Sequence, residues 1–93
     1  MSIEEIKRAV AGVARKYGVK KIELFGSYAN GKNSRSSDID LLVDFNDPGL
    51  SLFKLFEVER EFAKVLNKKV DIIEMPLSDS SYIKIDKLVP LYG

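Results

Sequence analysis

Leu24-Phe25-Gly26-Ser27-Tyr28-Ala29-Asn30-Gly31 and, after a polar interval, Ser37-Asp38-Ile39-Asp40-Leu41-Leu42-Val43 decide the fold. Val19 to Phe25 reads as a short strand that stops at Gly26. The next residues are small and close-set. Lys32-Asn33-Ser34-Arg35-Ser36-Ser37 is polar without apolar periodicity, so it is a loop. Asp38 to Phe45 is a second strand. Its alternation puts Ile39, Leu41, Val43 and Phe45 on one face and Asp38, Asp40, Leu42 and Asp44 on the other.

Working outward, Ser2 and Glu5 have the spacing of a capping box. Ile3, Ile6, Val10, Val13 and Tyr17 follow at helical intervals, and Gly18 closes that helix. On the other side, Asn46-Asp47-Pro48-Gly49 is a turn. Ser51 caps a second helix, with Leu52, Leu55, Phe56, Phe62, Ala63 and Leu66 as its expected buried stripe and Glu59 interrupting it. Phe53 and Val58 fall off that stripe. With Ile83, Ile85, Leu88 and Tyr92 they form either a partner patch or part of the chain's own core. Lys69 to Glu74 predicts a third strand ended by Pro76. Ser81 to Tyr92 is ambiguous, and a short terminal helix bent near Pro90 is one reading. The order α, β, small turn, β, α, β is that of an α/β sheet with helices packed on it.

Asp38 and Asp40 sit two apart in an apolar strand, so their side chains share a face. Burying such like charges costs several kcal/mol, by rough estimate. A divalent cation between them reverses the sign. Asp71, between apolar neighbours in the third strand, joins them if the strands pair. An acid there suits proton acceptance from an attacking hydroxyl. An Asp-x-Asp pair also fits a solvated strand edge. Gly26-Ser27 has two readings as well. A glycine ending a strand lets the backbone approach a ligand, and a short helix opening at Ser27 would turn N–H groups toward a phosphate. An ordinary strand-to-helix turn looks the same.

Composition narrows the chemistry. Ninety-three residues predict one domain, 1–93. The hydrophobic share is 45%, enough for a core and against a disordered chain. Fifteen basic and fourteen acidic residues leave +1, which argues against gripping nucleic acid by charge. Cysteine and histidine are absent. Thiolate catalysis, imidazole bases and Cys/His zinc sites are thereby excluded. Any base must be a carboxylate and any metal site must use oxygen, which favours Mg²⁺, Mn²⁺ or Ca²⁺. No apolar run reaches the ~20 residues of a membrane helix, and the N-terminus lacks signal-peptide character, so a cytoplasmic location is expected.

Two near matches fail. Gly26 to Asn33 fits the P-loop pattern until Asn33 takes the place of the Mg²⁺-binding Ser or Thr. Asp38-x-Asp40 opens like a calcium loop, but Gly49 stands where the bidentate Glu belongs.

The whole string resembles the signature of the DNA polymerase β-like nucleotidyltransferase superfamily. More narrowly, it is similar to the minimal nucleotidyltransferases (MNT), the antitoxin halves of HEPN/MNT toxin–antitoxin pairs. Lys69-Val70-Asp71-Ile72-Ile73 resembles that family's third-carboxylate strand, and Val89-Pro90-Leu91-Tyr92-Gly93 its usual end. The resemblance implies a small mixed β-sheet with flanking helices. It implies that Gly26 and Ser27 hold the triphosphate of ATP, that Asp38, Asp40 and Asp71 bind two Mg²⁺ ions, and that Asp71 is also the base. It further implies transfer of AMP to a tyrosine hydroxyl of a cognate HEPN ribonuclease, in a homo- or hetero-oligomer. One residue departs from the family: Asn30 stands where Arg is common, and Lys32 or Arg35 is left to supply that charge. The alternative is a binding module that neutralises its partner by occlusion. Transfer to a small molecule ranks lower, because the chain has no room for an acceptor-binding domain.

Overall fold

The computed structural model describes residues 2–34, 36–47, 49–74 and 87–93. Helix α1 is Ile3–Lys16, strand β1 Val19–Phe25, helix α2 Ser27–Asn30 and strand β2 Ile39–Phe45. Helix α3 is Leu52–Leu66, strand β3 Val70–Glu74 and strand β4 Val89–Tyr92. The expected capping box forms, with the Glu5 N–H donating to Ser2 Oγ at 3.2 Å and the Ser2 N–H to Glu5 Oε1 at 3.0 Å. Ser51 caps α3 in the same way, accepting from the Lys54 N–H at 3.2 Å. Asn67 ends α3 in the left-handed region, which asparagine tolerates.

The strands form one mixed sheet in the order β3-β2-β1-β4. β1 pairs antiparallel with both β2 and β4, and β2 pairs parallel with β3. Helices α1 and α3 pack on each other and on one face of this sheet. Ile6, Val10, Val13 and Ala14 of α1 meet Ile22 and Leu24, Ile39, Leu41 and Val43, Val70 and Leu91 in a single core. Alternation turns Glu23, Asp40, Asp44 and Asp71 to the other face.

Two expectations are corrected. The α3 core stripe is Leu55, Val58, Phe62 and Leu66, spaced three, four and four. Val58 is fully buried, whereas Leu52 and Phe56 face outward. The period allowed an apolar arc wider than the sheet can cover, and packing chose one side of it. The chain end is a strand rather than a helix: Val89–Tyr92 adds to β1 as an edge strand. Pro90 is tolerated there because an edge leaves one side of the backbone unpaired. The remainder of the ambiguous segment, including Ile83 and Ile85, lies outside the described residues.

Candidate active site

β1 ends where Phe25 pairs with Asp40, and the chain must turn at once. Gly26 makes that turn with φ 76° and ψ −152°, a region essentially closed to other residues. It also makes room. A Cβ on Gly26 would collide with the Asp40 carboxylate, so the glycine backbone lies directly against that acid. The Gly26 carbonyl accepts from the Ala29 and Asn30 N–H groups, each at 3.1 Å, and from Asn30 Nδ2 at 3.0 Å. Asn30, the departure from the family pattern, thus ties the bend to itself. Gly31 closes α2 in the left-handed region.

Asp40 lies opposite Asp71 in the parallel β2–β3 register. Residues in register on neighbouring strands point to the same face, and Asp38 precedes Asp40 by two. Strand pairing therefore brings all three acids to one edge of one face, beside the Gly26 bend. Asp40 is half-buried and Asp71 exposed. The Asp40 carboxyl is held above the usual 3.8 by burial first, then by the charges of Asp71 and Asp38. Asp38 has a cationic neighbour, with Lys69 Nζ 3.8 Å from its Oδ2.

The sequence reading missed two residues here. Lys68 donates to the Ser37 carbonyl at 3.4 Å and lies 5.8 Å from the Tyr28 ring centre. Lys69 reaches Asp38. Their signal was the paired cations directly before Val70-Asp71. Only the β2–β3 pairing shows that those cations face the end of the Lys32–Ser37 loop. Of the two cations expected to replace the family's Arg, Lys32 is exposed at the end of α2 and Arg35 lies outside the described residues.

Among the described residues, no three acidic side chains stand ready as oriented to hold a metal ion. The donor chemistry nonetheless fits a hard divalent cation. The donors are all oxygen, and the like charges that lift Asp40 are what a cation would relieve.

A family comparison settles the class. The Nucleotidyltransferase domain family matches residues 6–89. This chain belongs to that family. The nucleotidyltransferase is 44% identical, over 78% of its length and 77% of the relative's, to an inferred protein adenylyltransferase of Methanocaldococcus jannaschii. It is 34% identical to the protein adenylyltransferase MntA of Thermococcus cleftensis, over 78% of this chain and 77% of that one. A crystal structure of a toxin–antitoxin with AMP-PNP contains a chain of the same fold. The TM-score is 0.78 at 25% identity, covering 94% of this nucleotidyltransferase and 73% of that chain. Among the described residues, no helix is long and apolar enough to cross a membrane.

Proposed function

We propose that this nucleotidyltransferase is the antitoxin of a toxin–antitoxin pair and moves AMP from ATP to a tyrosine hydroxyl of a HEPN-type toxin. One observation carries the reading: Asp40 and Asp71 lie side by side on one face, against the Gly26 bend and two residues from Asp38. The adenylyltransferase relatives and the AMP-PNP-bearing toxin–antitoxin support the nucleotide and the class of acceptor. The family match over 6–89 supports treating 1–93 as one minimal domain.

In this reading Gly26 and Ser27 hold the triphosphate, the glycine by letting the backbone come close and the serine by its hydroxyl. Asp38, Asp40 and Asp71 would hold Mg²⁺, two ions by family resemblance. When bound, the metal offsets the negative charge of phosphate and carboxylates. Asp71, the most exposed side of the cluster, takes the proton of the acceptor hydroxyl. The hydroxyl oxygen bonds to the α-phosphorus, the bond from that phosphorus to the bridging oxygen breaks, and pyrophosphate leaves with the electron pair.

The test is incubation with α-labelled ATP, Mg²⁺ and a HEPN-type toxin found to bind this chain. Label on a partner tyrosine is the expected result. Asp71→Asn should slow transfer ~10²–10⁴-fold, the usual loss with a general base. Absence of label with the wild-type chain rejects the enzymatic reading. If Asp38→Asn with Asp40→Asn still protects cells from the toxin, occlusion is sufficient and transfer has no necessary role.

A further inference from the structure

Lys68 and Lys69 join α3 to β3, and both reach the segment that carries Asp38. Asn67 turns the chain out of α3 in the left-handed region, and the Lys68 N–H still donates to the Ala63 carbonyl at 3.3 Å. The lysine pair is thus anchored at the helix end. From there it meets Ser37, Asp38 and Ile39 in succession. Lys68 Nζ donates to the Ser37 carbonyl at 3.4 Å. Lys69 Nζ lies 3.8 Å from Asp38 Oδ2. The Lys69 carbonyl accepts from the Ile39 N–H at 3.0 Å, where the β2–β3 ladder begins. The loop end held in this way is itself a closed turn. The Ser37 N–H donates to the Ser34 carbonyl at 3.2 Å, and the Ser34 N–H donates to Ser37 Oγ at 2.8 Å.

The two lysines carry the same charge but meet this segment differently. Lys68 is half-buried, with its ammonium 5.8 Å from the Tyr28 ring centre, and it bonds the backbone immediately before Asp38. Lys69 is exposed, and its contact is with the Asp38 carboxylate itself. The structure assigns them opposite roles toward a divalent cation at Asp38. Lys68 is a positioning residue that fixes the Ser37–Asp38 backbone, and Lys69 is a resident counter-ion that gives way to the metal. This inference rests on the reading of Asp38, Asp40 and Asp71 as the metal site. Lys69 offsets part of the repulsion among the acids while no metal is bound, and its ammonium repels any cation that reaches Asp38 Oδ2. Lys68 orders the loop end beforehand, so less conformational freedom is lost on binding. Charge alone would treat the two lysines alike: removing either leaves the acids in a more negative field and tightens cation binding. A brace at Lys68 gives the opposite sign.

The experiment titrates the full chain with Mn²⁺ alone and counts the free ion by electron paramagnetic resonance. The readout needs no nucleotide, toxin or turnover. Lys69→Met should tighten Mn²⁺ binding about two- to fivefold, the worth of an exposed ion pair. Lys68→Met should weaken it about two- to tenfold, the worth of one hydrogen bond. Lys68→Arg, which keeps the charge and the donors, should restore wild-type affinity. Circular dichroism checks the fold of each variant. If Lys68→Met does not fold, Lys68→Gln takes its place, with the same weakening expected from its lost charge and shorter reach. A Lys68 variant that binds Mn²⁺ as tightly as wild type or more tightly overturns the proposal, and so does a Lys69 variant that fails to tighten. A wild-type chain that holds no Mn²⁺ removes the metal reading and the proposal with it. Opposite shifts in a chain that transfers no AMP keep the lysine roles and remove the transfer reading.

Discussion

Asp40 is where placement and stability conflict. Burial and the charges of Asp71 and Asp38 raise its pKa, so the ionised form is the costly one in the folded chain. The folded state therefore holds its proton more tightly than the unfolded state does. Stability should fall as pH rises from the ordinary carboxylate value of 3.8 through the raised one, and level off above it. Asp40→Asn should thus stabilise at neutral pH, by ~0.2–1 kcal/mol for a relieved like-charge pair, while abolishing transfer. Denaturant melts across pH read this: the variant's advantage must vanish below pH 3.8. Gly26 carries the opposite demand. Gly26→Ala meets both a positive φ and the Asp40 carboxylate. It should cost ~1–3 kcal/mol and weaken AMP-PNP binding, measured by melts and titration. Stability unchanged in that variant would mean the bend is less constrained than its geometry indicates.

At the scale of elements, α3 presents two faces of unequal consequence. Phe62 is fully buried against the sheet, whereas Phe53 is almost wholly exposed. Phe62→Ala should destabilise by ~3–5 kcal/mol, by lost burial and the cavity left behind. Phe53→Ala should change stability by less than about 0.5 kcal/mol. Chemical denaturation of the two single variants makes the comparison directly. β4 shows the limit of local reading. Val89-Pro90-Leu91-Tyr92 has too few residues to establish a period, and proline disfavours both helix and central strand. Its strand state comes from pairing with β1, which buries Leu91.

For the whole molecule, the parallel β2–β3 pair is the decisive contact. It is formed by segments about thirty residues apart, with α3 as the crossover between them. Because that pairing assembles the acids, ligand binding should report on the fold itself. Mg²⁺ with AMP-PNP at roughly a hundredfold above its dissociation constant should stabilise the wild-type chain by ~2.7 kcal/mol. Asp38→Asn with Asp40→Asn should show little of that gain in a thermal-shift titration. An equal shift in both proteins would place the nucleotide elsewhere.

Residues alone determined the capped first helix, the strand–glycine–strand unit and the shared face of Asp38 and Asp40. Each follows from a period of two or 3.6, or from a glycine or cap whose preference is local. The chemistry of an all-oxygen site also followed from composition, since no histidine or cysteine exists to supply another donor. Tertiary structure decided what depends on distant partners. It selected which side of the wide α3 arc is covered, and so moved Val58 inward and Phe56 outward. It made the chain end a strand, brought Asp71 beside Asp40, and set Lys69 against Asp38. Local patterns fix which face a side chain shares with its near neighbours, but only strand pairing fixes which remote side chains meet it there.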